Sequence, residues 1–236
     1  MRGAKFPFRP STLAEREEFY KSEFSISKVK LWFKKTGRKL PQICAIDAGT
    51  ETGIILDKKN KNKMLYFEFK DLKAKIMQYL PEDVYYDRNV YKNPKAILNT
   101  LNFNNHISQE LAFDIDIDNM NKKVSNESIK KAYTLALKME KELKERYRFK
   151  NMQIVYSGRG FHIHVFDKQA STLTIIEREK IIKSFSKYPI DPWVSRDFIR
   201  LIRMPYSLNS LVSRKVIPVE NKKFNLEKAI PRFLKT

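Results

Sequence analysis

From Phe113 to Asp118 apolar and acidic residues alternate one for one, with Phe113, Ile115 and Ile117 set against Asp114, Asp116 and Asp118. Successive side chains of an extended chain point to opposite faces, so a strand gives each set a face of its own. Burial of the apolar set would anchor the strand and hold the carboxylates in register, neighbours roughly 7 Å apart. Like charges so spaced repel unless a cation stands between them, and Asp is depleted in strands. Carboxylate oxygens are preferred ligands of Mg2+ and Mn2+. The pattern therefore reads as a divalent-metal site. Its alternative, left open by the residues alone, is the solvated polar face of an edge strand.

A second constellation follows. Tyr156–His164 reads as two strands joined by a glycine turn, Ser157-Gly158-Arg159-Gly160. The glycines let backbone amides approach an anion closely, and Ser157 and Arg159 add donors. His162 and His164 share one strand face, and they are two of only 3 histidines in the chain. A cationic turn beside an acidic strand suits a nucleoside triphosphate, with a metal neutralising one side of the phosphates and the turn the other. A His–Asp metallohydrolase also fits these residues.

The remaining pattern alternates strands and helices, the mark of an α/β or α+β fold. Helices are expected over Leu13–Tyr20, Ile26–Lys35, Asp71–Leu80, Ser125–Tyr147 and Thr172–Tyr188. Strands are expected over Ile43–Ile46, Gly53–Leu56, Met64–Phe69, Leu111–Ile117, Met152–Tyr156, Phe161–Phe166 and Lys215–Val219. Asp57–Lys63 reads as a hairpin loop, Tyr85–Pro94 as irregular chain, and Asp197–Ile202 as a short helix.

Charge narrows the partners. Lys and Arg number 47 against 27 Asp and Glu, a formal net charge of +20. Such an excess attracts polyanions and favours nucleic-acid binding through counterion release. Lysine enrichment alone has other sources, thermophily among them, but these do not account for the missing acid. A single cysteine, Cys44, excludes internal disulfides and a cysteine-rich zinc module, and reads as a small buried hydrophobe. No run of about 18 apolar residues is present. The basic N-terminus lacks the apolar stretch of a signal peptide, so a cytoplasmic, nucleoid-associated protein without a membrane role is expected.

Several stretches, taken in order, resemble the small catalytic subunit of archaeal and eukaryotic DNA primases. Pro81–Tyr86 and Val90–Pro94 are similar to the segment before that family's acidic strand. Leu111–Asp116 resembles the acidic motif, and Tyr156–His162 the triphosphate-binding Ser-x-His motif. Ile190–Ser195 and Arg200–Leu208 resemble the third motif and the phosphate-contacting stretch after it. The resemblance covers residues 81–219, and the compact, lysine-rich build is similar to single-chain primases of very small archaea.

It implies a primase catalytic core, a mixed central β-sheet flanked by helices with an RRM-like half carrying the acidic strand, as one domain over residues 1–236. Whether this is the front part of a longer chain is left open. By position, Asp114, Asp116 and Asp191 would be catalytic and hold two Mg2+ or Mn2+ ions, with Asp197 a weaker alternative to Asp191 and Asp118 a bystander. Ser157, Arg159, His162 and Arg203 would bind the triphosphate. Asn209 stands where the family commonly has His, able to hydrogen-bond a nucleotide but not to carry charge. Leu211 replaces a family Lys, with Arg214 or Lys215 as compensation, and no counterpart of a family Arg is found near Met64–Phe69. The implied function is template-directed nucleotidyl transfer, making primers on single-stranded DNA from nucleoside triphosphates. A primase large subunit or a fused C-terminal domain would be the partner, and Tyr85, Tyr86 and Trp193 are candidates for stacking on bases. The competing readings are a primase-like module that only binds nucleic acid, and a metal-dependent nuclease or phosphohydrolase.

Overall fold

The structure is a computed structural model and describes residues 6–49, 64–195 and 200–235. The strand expected over Gly53–Leu56, the loop Asp57–Lys63 and Asp197 lie outside the described residues.

The first half runs α1 (Leu13–Ser22), α2 (Ile26–Lys35), β1 (Ile43–Asp47), β2 (Met64–Glu68), α3 (Leu72–Tyr79), β3 (Asp83–Asp87), β4 (Asn89–Tyr91), α4 (Pro94–Thr100) and β5 (His106–Gln109). The second half opens with β6 (Leu111–Asp116), α5 (Asn126–Tyr147), β7 (Met152–Tyr156) and β8 (Gly160–Val165). It continues through α6 (Lys168–Ser171), α7 (Ile175–Ser184), α8 (Pro192–Ser195) and β9 (Leu201–Arg203). The last strands are β10 (Leu208–Asn209), β11 (Arg214–Lys215) and β12 (Ile217–Pro218).

The fold is mixed α/β, with antiparallel sheets flanked by helices. Among the described residues two four-stranded sheets form, ordered β2-β1-β3-β9 and β12-β7-β8-β6, with the ribbons β4-β5 and β10-β11 beside them. In the second sheet, β6–α5–β7–β8–α7 is followed by Ile190, which bridges back to Ile115 on the free side of β6. This is the βαββαβ order of an RRM-like half, with its last strand reduced to one bridge. That bridge carries Asp191 to the acidic strand.

Helix α5 shows why the second half packs as it does. The Ser125 side chain caps it by accepting from the Ser128 N–H, and Ile129, Ala132, Ala136, Met139 and Leu143 form its buried stripe. That stripe joins one core with Phe113, Ile115, Ile154, Phe161 and Ile163 from the near face of the sheet. Each large side chain so buried contributes about 1.5–3 kcal/mol. The opposite face of the same sheet offers Ala112 and Val155 to a second core with Cys44, Ile46, Val84, Tyr86 and Ile202 of the first sheet. Polar side chains of β6 and β8 thus emerge between two sheets.

Three expectations are corrected. Tyr85–Pro94 is not irregular: β3 and β4 occupy most of it, because Val84, Tyr86 and Tyr91 bury side chains while backbone pairs with β1 and β5. Leu201–Ile202 is strand, where β9 pairs with β3 and so completes the ladder that β1 opens. The acidic strand ends at Asp116; Ile117 turns to αR and Asp118 begins a short 3-10 turn, so only two of the three acids share the strand face.

Candidate active site

The sequence predicts a site from three separated segments, and the structure draws them together. Asp114 lies opposite His162 in the β6–β8 register, and Asp116 opposite Gly160. The Asp191 N–H donates to the Asp114 carbonyl at 2.8 Å. Asp191 directly precedes α8, with Pro192 at the first helical position and the Asp191 Oδ1 accepting from the Trp193 N–H at 2.9 Å. A backbone bond and a turn thereby set the distant third acid beside the strand pair.

The carboxylates feel one another. Burial, then Asp116 and then Asp191, push the Asp114 carboxyl up to about 7, against the opposing pull of Arg203 and Arg159. Burial also raises Asp116, while Arg159 and Arg203 work the other way. Asp114 Oδ1 is buried without a hydrogen-bond donor, with His162 Nε2 standing 3.6 Å off. Burial, helped by His164, Arg203 and Arg88, holds the His162 imidazole well below its ordinary range, so it is neutral at pH 7.

The turn is built by its glycines. Ser157 N–H donates to the Gly160 carbonyl at 3.0 Å, closing a two-residue loop whose first member, Gly158, has φ +102°. Type II′ hairpins need a positive φ there. Gly160 serves a different purpose from the anion approach expected of it: a Cβ would lie 2.0 Å from the Ile115 carbonyl oxygen, so the missing side chain lets β8 lie against β6. Arg159, at the tip, reaches Asp116 at 3.7 Å and contacts Asp118. Asp118 is therefore more than a bystander: it holds the arginine of the turn.

Arg203 enters from β9. Its Nε and one terminal nitrogen donate to the two Asp83 oxygens at 2.9 and 3.0 Å. Burial disfavours its charge, but Asp83, Tyr85 and Asp114 outweigh that and raise its pKa. Asn209 is fully buried, and its amide donates to the Ser157 carbonyl at 2.9 Å. It props the turn from behind and sits 2.7 Å from where a Gly158 Cβ would be. Arg214 is committed to the carbonyls of Phe6, Pro7, Val212 and Ser213, and Lys215 to Glu23. Of the three aromatics expected to stack on bases, Tyr86 is buried, Tyr85 is half-buried with its hydroxyl donating to Asp83, and Trp193 is exposed.

Two groups escaped the sequence reading. Asp83, the bidentate partner of Arg203, lies inside the Pro81–Tyr86 stretch, but nothing local marks it as paired. Behind His162, His164 Nδ1 is 2.7 Å from Glu110, which also accepts from the Tyr86 hydroxyl and pairs with Arg38 at 2.5 Å. Burial would raise Glu110, yet Arg38 and the His164 hydrogen bond keep it below the usual carboxylate range.

Among the described residues no group of three or more His, Cys, Asp or Glu is arranged to hold a metal ion as the side chains stand. The local partners account for this: Arg159 lies on Asp116, the Asp118 N–H donates to Asp116 Oδ1, and Asp191 caps α8. The donor set nevertheless fits a cation. It has all-oxygen chemistry, an unmatched buried Asp114 oxygen, and repulsion between neighbouring acids that a divalent ion would relieve.

Acidic residues on an RRM-like sheet beside a cationic turn make up the candidate site, and the comparisons place the chain in a family. Residues 113–188 match the DNA primase small subunit family. An Archaeoglobus fulgidus "DNA primase small subunit-like" protein is 39% identical, covering 91% of this chain and 87% of its own length. The chain belongs to the DNA primase small subunit family. It is 30% identical to the DNA primase small subunit PriS of Pyrococcus furiosus over 78% of this chain. It spans only 51% of that relative's length, as it does for PriS of Thermococcus sibiricus. The polymerase domain of Mycobacterium tuberculosis ligase D shares the fold at 11% identity, with a TM-score of 0.50 over 95% of this chain and 89% of that one. No helix of the described residues is long and apolar enough to cross a membrane.

Proposed function

We propose that this chain is a primase-type polymerase core that joins nucleotides on a single-stranded DNA template. The observation that carries the proposal is the Asp191–Asp114 backbone bond, which sets a third acid beside Asp114 and Asp116, with His162 across the ladder and the charges of Arg159 and Arg203 close by.

Asp114, Asp116 and Asp191 would hold paired Mg2+ or Mn2+, which lower the pKa of an attacking 3′-hydroxyl and neutralise departing pyrophosphate. The chain's own groups do the positioning. Arg159 swings from Asp116 and Asp118 onto the triphosphate, and its planar guanidinium grips two phosphate oxygens at once. Neutral His162 donates one hydrogen bond to a phosphate oxygen without adding charge. Arg203, kept in place by Asp83, faces the same phosphates and supplies fixed positive charge as the reaction proceeds. The turn amides, propped by Asn209, hold the nucleotide in line with the attacking hydroxyl.

The test is metal-dependent dinucleotide synthesis on single-stranded DNA. The Asp114→Ala/Asp116→Ala protein should lose about 100-fold or more of the rate; synthesis at the wild-type rate would refute the assignment. A phosphohydrolase using both histidines is disfavoured, because His164 is tied to Glu110 and only His162 reaches the acids.

A further inference from the structure

The loop between β9 and β10 has proposed site residues at both ends, Arg203 and Asn209, and Tyr206 midway between them. Tyr206 has φ +68°, a conformation bulky residues seldom adopt. Its side chain is half-buried and lines two adjoining troughs, of about 500 and 630 Å3, along β12. β12 is the edge of its sheet farthest from β6, roughly 14 Å across the intervening strands.

The larger trough is walled by Lys28, Lys215, Lys223, Lys228, Arg232 and Lys235. Its acids are Glu23 and Glu220, and Glu23 is already occupied by Lys215 Nζ at 2.9 Å and the Arg232 N–H at 2.6 Å. The smaller trough adds Lys35 and Lys222, the latter paired with Glu140 at 3.0 Å. A positively charged groove with an aromatic ring at its waist is the chemistry that binds single strands: cations track the phosphates and bases stack on the ring. A duplex, whose bases are already stacked, has no use for the ring.

We infer that the β12 groove is a second binding surface for single-stranded DNA, with Tyr206 as its stacking platform, distinct from the carboxylate site. The inference does not rest on the catalytic reading, since the groove would bind a strand whether or not the carboxylates support chemistry.

Binding of a dye-labelled oligo-dT is measured by anisotropy across a salt series in EDTA, so that neither metal nor nucleotide turnover contributes. Lys223 and Lys228 are exposed, and Lys223→Ala/Lys228→Ala should weaken binding and flatten the log–log salt slope by about 1.4, two contacts at roughly 0.7 each. The same charge change on α5, Lys131→Ala/Lys138→Ala, should have the smaller effect. Tyr206→Ala should lose about 5- to 100-fold in affinity, and Tyr206→Phe should bind as wild type. Equal effects from the groove pair and the α5 pair, or full affinity in Tyr206→Ala, would overturn the inference. So would a matched duplex that loses as much as the single strand in Tyr206→Ala. Loss of dinucleotide synthesis in the carboxylate variant with binding intact leaves this surface standing, so the two readings fail separately.

Discussion

Asp114 is held under electrostatic strain by burial and by the neighbouring Asp116 and Asp191. With its carboxyl at about 7 in the folded chain against an ordinary 3.8, it keeps a proton that the unfolded chain has released between those values. More protons bound by the folded state mean that stability falls as pH rises through that window. Asp114→Asn removes the penalty. In EDTA at pH 8 it should be more stable than wild type by up to about 4 kcal/mol, each kcal/mol being worth roughly 2–4 °C in Tm. The gap should close toward pH 4, and thermal melts across that range decide it: a variant with no advantage at pH 8 contradicts the electrostatic account. Divalent metal should raise the Tm of the wild type and not that of the variant. Arg203 makes the opposite case, a charge the fold requires. Arg203→Ala leaves Asp83 buried without its counter-charge, with only the Tyr85 hydroxyl still donating to it, which should cost about 3–5 kcal/mol in chemical denaturation. Restoration of stability by Asp83→Asn in the same chain would confirm that the unpaired carboxylate is the cause.

At the scale of elements the two turn glycines are required for different reasons, and substitution separates them. Gly158→Ala meets a left-handed φ and the Asn209 side chain, so it should raise the KM for nucleotide several-fold while the fold survives. Gly160→Ala meets backbone at 2.0 Å and should part β6 from β8, costing more stability than Gly158→Ala in the same melts. Which elements could be read from sequence follows from how locally each is encoded. Helix α5 carries its own cap and stripe, and β6 its own alternation, so both were legible at nearly their observed bounds. β3 and β9 were not. Their side chains are committed to opposite sheet faces by pairing between residues 83–87 and 201–203, a long-range match that local pattern does not reveal. Likewise the long helix expected over Thr172–Tyr188 shortens to α7, because Thr174 caps it only at Ile175 and the chain leaves it in turns after Ser184.

For the whole molecule, the ordered resemblance names Asp114, Asp116, Arg159, His162 and Asp191, which the fold brings together, while their partners are not legible in sequence. Asp83 on Arg203, Glu110 on His164 and Asp118 on Arg159 are pairings of tertiary structure, and no spacing rule announces them. Their common effect is that Arg203 and Arg159 are each held by an acid before substrate arrives. The molecule as a whole predicts strong salt sensitivity: with a net charge of +20, affinity for single-stranded DNA should fall steeply between 50 and 200 mM salt, by about 10-fold or more. A flat titration would count against nucleic acid as the partner. If the proposed chemistry holds, the three aspartates close around divalent ions when a triphosphate binds. A crystal structure with Mn2+ and a non-hydrolysable triphosphate tests it through the anomalous signal of manganese. Two manganese peaks are expected within ligand distance of Asp114, Asp116 and Asp191, with Arg159 turned from Asp118 onto the phosphates. Nucleotide bound with no manganese at those carboxylates, or with Arg159 still on Asp118, would contradict it.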